Sequence, residues 1–129
     1  MGLEFEIRFE INASPEKVFK ALTNSELIQQ WCGSKGEVVP NGEFSMFDGW
    51  VKGKTTKFEP NYALAYTWKP EDWDSSFSDS LVEYAFSPSI NGTLIVLKHS
   101  QLPNQEEADS HRQGWYDYVL EPIKEYLET

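Results

Sequence analysis

Nine residues near the start of the chain leave little choice of conformation. Leu3-Glu4-Phe5-Glu6-Ile7-Arg8-Phe9-Glu10-Ile11 alternates apolar and charged without a fault. That is the period of a strand with one buried and one wetted face, and it puts Leu3, Phe5, Ile7, Phe9 and Ile11 on the core side. Asn12-Ala13 ends the strand and Ser14-Pro15-Glu16 opens a helix. Serine supplies the cap, proline takes a first helical position that needs no N–H, and an acid sits in the first turn. Val18, Phe19, Ala21 and Leu22 give this helix its apolar side. Asn24 reads as a second cap, with Leu27, Ile28 and Trp31 at helical spacing behind it.

From Gly33 to Ser100 the pattern turns to strands: Gly36–Val39, Glu43–Phe47, Trp50–Phe58, Ala63–Lys69, Leu81–Ser87 and Thr93–Ser100. Pro40-Asn41-Gly42, Asp48-Gly49, Pro60-Asn61 and Asn91-Gly92 punctuate them, and connections this short imply an antiparallel meander. The chain then returns to helix. Asn104 and Glu107 fit a capping box, and His111, Trp115, Val119, Ile123 and Leu127 share a stripe. Pro122 lies inside that stripe, where it predicts a kink or an interruption. The expected architecture is α+β: about seven antiparallel strands, curved around one long C-terminal helix, with two short helices after the first strand. A concave sheet around a cylinder leaves space between them, which predicts an interior cavity.

At 129 residues the natural count is one domain, residues 1–129. Five Trp, eight Phe and six Tyr supply ample area to bury. Formal net charge is −10, with 7 basic and 9 acidic groups in residues 1–64 and 4 and 12 in residues 65–129. A surface of that sign repels phosphate backbones and anionic membranes, so nucleic acid is not an expected partner. No run reaches the roughly 20 apolar residues of a spanning helix, so membrane insertion is not expected either. The opening residues lack the basic and apolar regions of a signal peptide. With its one cysteine unable to form an internal disulfide, the chain reads as a cytoplasmic protein.

Candidate chemistry is sparse. His99, His111 and Cys32 show no metal-ligand spacing, and no cofactor motif occurs, so neither metal nor cofactor is expected. Cys32 has no cationic neighbour in sequence except Lys35, and no nucleophile elbow exists. Asp48, Glu59 and Glu83 are assigned to the surface. The aromatics carry more. By alternation Phe44, Met46, Leu64, Tyr66, Trp68, Tyr84, Phe86, Leu97 and His99 face the same side, toward His111, Trp115 and Val119 of the last helix. They read either as plain core or as the lining of an apolar pocket with a few polar tips, and the two differ only in whether empty volume remains. No catalytic residue is assigned. An acidic loop, Pro70 to Asp79, carries Trp73 and Phe77, which could cover the cavity mouth.

The stretch Ile11-Asn12-Ala13-Ser14-Pro15-Glu16-Lys17-Val18-Phe19-Lys20-Ala21-Leu22 through Trp31 resembles the opening signature of the activators of the heat-shock protein 90 ATPase (Aha-type). Further matches follow in order: Gly42-Glu43-Phe44, Pro60-Asn61-Tyr62-Ala63-Leu64-Ala65-Tyr66-Thr67-Trp68, Gly92 to Ser100, and Gly114-Trp115-Tyr116. That family is similar to the START-like (SRPBCC) helix-grip proteins, which include lipid-transfer domains and polyketide cyclases. The resemblance implies a helix-grip fold and, as a partner, a chaperone engaged in the stress response. Three functions follow as expectations. The leading one is non-catalytic binding of a small hydrophobic or amphipathic molecule in the cavity. The second is a chaperone-associated interaction module. The third is a cyclase- or hydrolase-type enzyme using His99, Tyr66 and Tyr84.

Overall fold

The structure is a computed structural model that describes residues 3–128. Part of the signal-peptide reading falls on Met1 and Gly2, outside the described residues. Strand β1 (Leu3–Ile11) leads to helices α1 (Pro15–Thr23) and α2 (Ser25–Cys32). Strands β2 (Glu37–Val38), β3 (Glu43–Met46), β4 (Val51–Glu59), β5 (Ala63–Pro70), β6 (Ser80–Ser89) and β7 (Gly92–Leu102) follow. A 3-10 turn over Phe47–Gly49 separates β3 from β4. The chain closes with α3 (Gln105–Trp115), a π-turn (Tyr116–Leu120) and α4 (Glu121–Glu128).

All strands form one curved antiparallel sheet in the order β1-β7-β6-β5-β4-β3-β2. The meander accounts for every pairing except the first, in which β1 crosses to β7 with Ile7 opposite Leu97 and Ile11 opposite Thr93. The local chemistry works as the side chains dictate. Ser14 Oγ accepts from the Lys17 N–H at 3.3 Å, and Asn24 Oδ1 accepts from Leu27 at 3.1 Å. Gly33 closes α2 in the left-handed region at φ 79°, its N–H bonding Gln29. Trp31 Nε1 donates to the Ala21 carbonyl at 2.6 Å, tying α2 to α1. At Gly53 the two central strands touch: a Cβ there would lie 1.9 Å from the Thr67 oxygen.

The regular α-helix is interrupted close to Pro122, by the π-turn over Tyr116–Leu120 that precedes it. The ladder widens there, where the Glu121 N–H bonds the Tyr116 carbonyl five residues back. Pro122 is the second residue of α4. Val119, Leu120 and Ile123 all stay buried against the sheet.

Candidate functional site

The inward face is what alternation specified. Phe44 and Met46 come from β3, Leu64, Tyr66 and Trp68 from β5, Tyr84 and Phe86 from β6, and Leu97 and His99 from β7. Trp115 and Val119 descend on them from the last helix, and all eleven are buried. His111, the twelfth expected residue, is partly exposed at the margin. The structure thus brings the whole set together.

It also fills most of the expected hollow. Phe44 stacks on Tyr66 with centroids 3.6 Å apart and planes within 8°, and Trp68 meets Trp115 at 4.9 Å. Tyr84 stands edge-on to Trp115 at 6.1 Å and stacks on Phe86 at 5.8 Å. Rings from sheet and helix therefore meet across the space that curvature opens. The large side chains that could have lined a cavity occupy it instead.

A pocket of about 100 Å³ lies at the flank, between the Phe47–Gly49 turn and the last helix. Trp68, His111, Trp115 and Val119 contribute the wall expected from sequence, and Phe47, Trp50, Ser110, Gly114 and Tyr118 complete it. None of those five was among the expected lining residues, although Tyr118 reads as part of the helix stripe. Trp50 had been placed only as a strand start, and Phe47 lies beside a turn signal whose geometry sequence does not give. Two unusual backbone segments bound this pocket. Phe47 and Asp48 both sit in the left-handed region, at φ 53° and 57°, where bulky side chains are strained. The π-turn carries Tyr118, which is 65% exposed.

Beneath the pocket runs a chain of hydrogen bonds. Trp115 Nε1 donates to His99 Nδ1 at 3.0 Å, and Ser80 Oγ lies 2.8 Å from His99 Nε2. Ser80 also donates to the Trp68 carbonyl at 2.7 Å, so its oxygen accepts from His99 and fixes the Nε2–H tautomer. Trp68 Nε1 in turn donates to His111 Nε2 at 3.1 Å, while His111 Nδ1 lies 3.0 Å from the Glu107 carbonyl. Each imidazole therefore accepts an indole N–H at one nitrogen, an arrangement only the neutral ring can make. Burial pushes the His99 pKa well below its ordinary value, helped by the nearby His111. Burial also lowers that of His111, against the opposing pull of Glu107 and Asp72.

Tyr66 and Tyr84 share a hydroxyl–hydroxyl bond of 2.6 Å, and burial raises both pKa values far above the usual tyrosine range. His99, Tyr66 and Tyr84 are buried and are not among the residues that line the flank pocket.

The acidic loop is pinned rather than open. Trp73 is buried, donates from Nε1 to Glu107 Oε1 at 2.9 Å and stands edge-on to His111 at 5.7 Å. The Glu107 N–H still takes its cap from Asn104 Oδ1 at 2.8 Å, but its carboxylate is committed to Trp73 instead of completing a capping box. Asp48 and Glu59 are exposed and Glu83 half-buried on the outer sheet face. Cys32 Sγ is 3.1 Å from Ser34 Oγ. Among the described residues no cluster of three or more His, Cys, Asp or Glu could hold a metal ion, and no helix is long and apolar enough to cross a membrane.

Comparison with known proteins supplies what geometry leaves open. Residues 12–128 match the family model described as Activator of Hsp90 ATPase homolog 1-like protein. The Activator of 90 kDa heat shock protein ATPase homolog 1 of Mus musculus is 29% identical over 114 residues. The match takes in 87% of this chain and 33% of that protein, so the chain spans about a third of the relative's length. The crystal structure of an HSP90 activator from Plasmodium falciparum superimposes with a TM-score of 0.85 at 27% identity, covering 98% of this chain and 96% of that one. An AHSA1-like protein from Rhizobium etli gives 0.77 at 27% identity, covering 98% and 82%.

Proposed function

Because the chain belongs to the Activator of Hsp90 ATPase homolog 1-like family, we propose that it is a chaperone-associated interaction module, working through its surface. Residues 1–129 act as one START-like domain in the cytoplasm. The observation that carries this reading is the filled interior. The family match supports a chaperone-directed role, and the ring stack leaves little internal volume to compete with it. The surface suits such a role: Glu106, Asp109, Asp117, Glu121 and Glu125 are exposed along the last helix. An acid-rich face of that kind docks on a basic patch and releases it as salt rises. The test is binding to, and ATPase stimulation of, a purified 90 kDa heat-shock chaperone across a salt series. Binding that weakens with salt supports the reading; absence of binding at low salt overturns it.

The flank pocket favours a second reading, a small apolar ligand. A space of about 100 Å³ suits a single-ring molecule, on the scale of benzene in an engineered apolar cavity. Benzene, phenol and indole are the probes, read by thermal shift on the wild type and on Val119→Trp, which fills the pocket. A rise in melting temperature confined to the wild type supports ligand binding. No rise with any probe removes it.

A further inference from the structure

Some of the charges around this sheet are resolved locally. Arg8 reaches Glu6 at 3.9 Å, Lys98 reaches Glu4 at 3.6 Å, Lys124 holds Glu128 at 2.7 Å and Arg112 lies over the Phe5 ring. The central strands differ. Lys52, Lys54 and Lys57 on β4 and Lys69 on β5 are four of the chain's eleven cations, and among the described residues none makes an ion pair. The three on β4 are exposed and Lys69 half-buried. Lys52 stands directly opposite Lys69 in the register, a like-charge placement that costs stability. Glu43 is opposite Lys54 on the other side without pairing to it.

Lys52, Lys54 and Lys69 line an open groove of about 700 Å³ that also takes in Gly53, Thr56, Thr67, Pro70 and Trp73. The two backbones come close at Gly53, where a Cβ would lie 1.9 Å from the Thr67 oxygen. Carboxylates of Glu43, Glu71 and Asp79 stand around it, so the cationic stripe is confined to the middle.

We propose that the outer face of β4 and β5 docks a short acidic segment of a protein partner. Two or three of its carboxylates lie over Lys52, Lys54 and Lys69, and one apolar side chain rests on Pro70 and Trp73. A peptide can space its charges to meet three lysines and avoid the surrounding carboxylates. A nucleic acid carries a phosphate at every residue and runs onto them. The partner need not be a chaperone, so this surface stands or falls separately from the reading above.

The experiment is fluorescence anisotropy of a labelled short peptide of aspartate and glutamate around one phenylalanine, with a single-stranded oligonucleotide of equal charge alongside. The variant is K52Q/K54Q/K69Q, and the control is K17Q/K20Q, which removes two exposed lysines of α1. Expected is peptide binding that weakens with salt, falls roughly tenfold in the variant at low salt, and survives in the control, as the sum of several exposed charge contacts. The variant's melting temperature should hold or rise, since the Lys52–Lys69 repulsion is gone. No peptide binding by the wild type, equal loss in variant and control, or tighter binding of the oligonucleotide each overturns the proposal. Loss of chaperone binding with peptide binding retained refutes only the chaperone reading.

Discussion

Mild acid should loosen this fold through its two histidines. His99 is held from every side: Ser80 on β6, Trp68 on β5, Phe5 on β1, and Trp115 and His111 on α3. The charged groups nearest the pair are Glu107 and Asp72, which oppose the shift at His111, and Arg112, which covers Phe5. Burial holds both pKa values below their ordinary value in the fold, and protonating either ring would also set an imidazolium N–H against an indole N–H. The unfolded chain then binds protons that the native chain refuses. Stability is unaffected well above pH 6.5 and falls as pH drops below it, by at most about 1.4 kcal/mol per pH unit for each histidine. The two together approach about 2.7 kcal/mol per unit, with His111 giving the smaller share; domains of this size hold only about 5–15 kcal/mol in all. Carboxylates titrate lower, which leaves the interval from pH 6.5 to 5.5 to the histidines. Urea unfolding followed by tryptophan fluorescence through that interval measures the slope. His99→Gln keeps an acceptor for Trp115 and a donor for Ser80 but cannot titrate, so its slope should be the shallower by about half or more. Equal slopes in the two proteins, or none in the wild type, would refute the reasoning.

Other interior contacts make separate predictions. Tyr84→Phe strands the Tyr66 hydroxyl in an apolar interior and should cost about 1–3 kcal/mol, while adding Tyr66→Phe should return part of the loss, a non-additivity that chemical denaturation can measure. Phe44→Ala removes the ring between Tyr66 and Trp68 and should cost about 3–5 kcal/mol; a loss below ~1 kcal/mol in the same assay would mean the stack is not tightly packed. Gly53→Ala drives a Cβ into the Thr67 carbonyl, so the melting temperature should fall and hydrogen exchange in β4 and β5 should speed up, whereas the neighbouring exposed Thr56→Ala should leave both unchanged.

Much of the fold was legible because its signals are local. The alternation of Leu3 to Ile11, the caps at Ser14 and Asn24, and the turn residues between strands each act within a few residues, and the structure places the elements where they point, except that Leu3, beyond a register shift at the start of β1, is exposed rather than in the core. Parity alone put Tyr66, Trp68, Tyr84 and His99 on the inner face. What parity could not give is volume. Whether Phe44, Tyr66 and Trp115 line a hollow or close it depends on ring contacts between elements distant in sequence. Phe47 and Trp50 reach the flank pocket through a left-handed pair that no composition rule demands of phenylalanine. Pro122 was visible as a disturbance, but local signals did not place the π-turn over Tyr116–Leu120 that precedes it. Trp73 was read as a cover; its anchor on Glu107 depends on where α3 arrives.

The pairing of β1 with β7 sets the timetable of folding. As the polypeptide emerges from the ribosome, its first segment finds no neighbour until some ninety positions later, when Gly92 to Leu102 has been made. Throughout that wait an unpartnered, half-greasy ribbon is presented to every other nascent molecule. Glu4, Glu6, Arg8 and Glu10, spaced along its wet side, act as guards against mispairing. Replacing them with valine or threonine would leave the finished sheet intact on paper and send much of the newly made protein into aggregates.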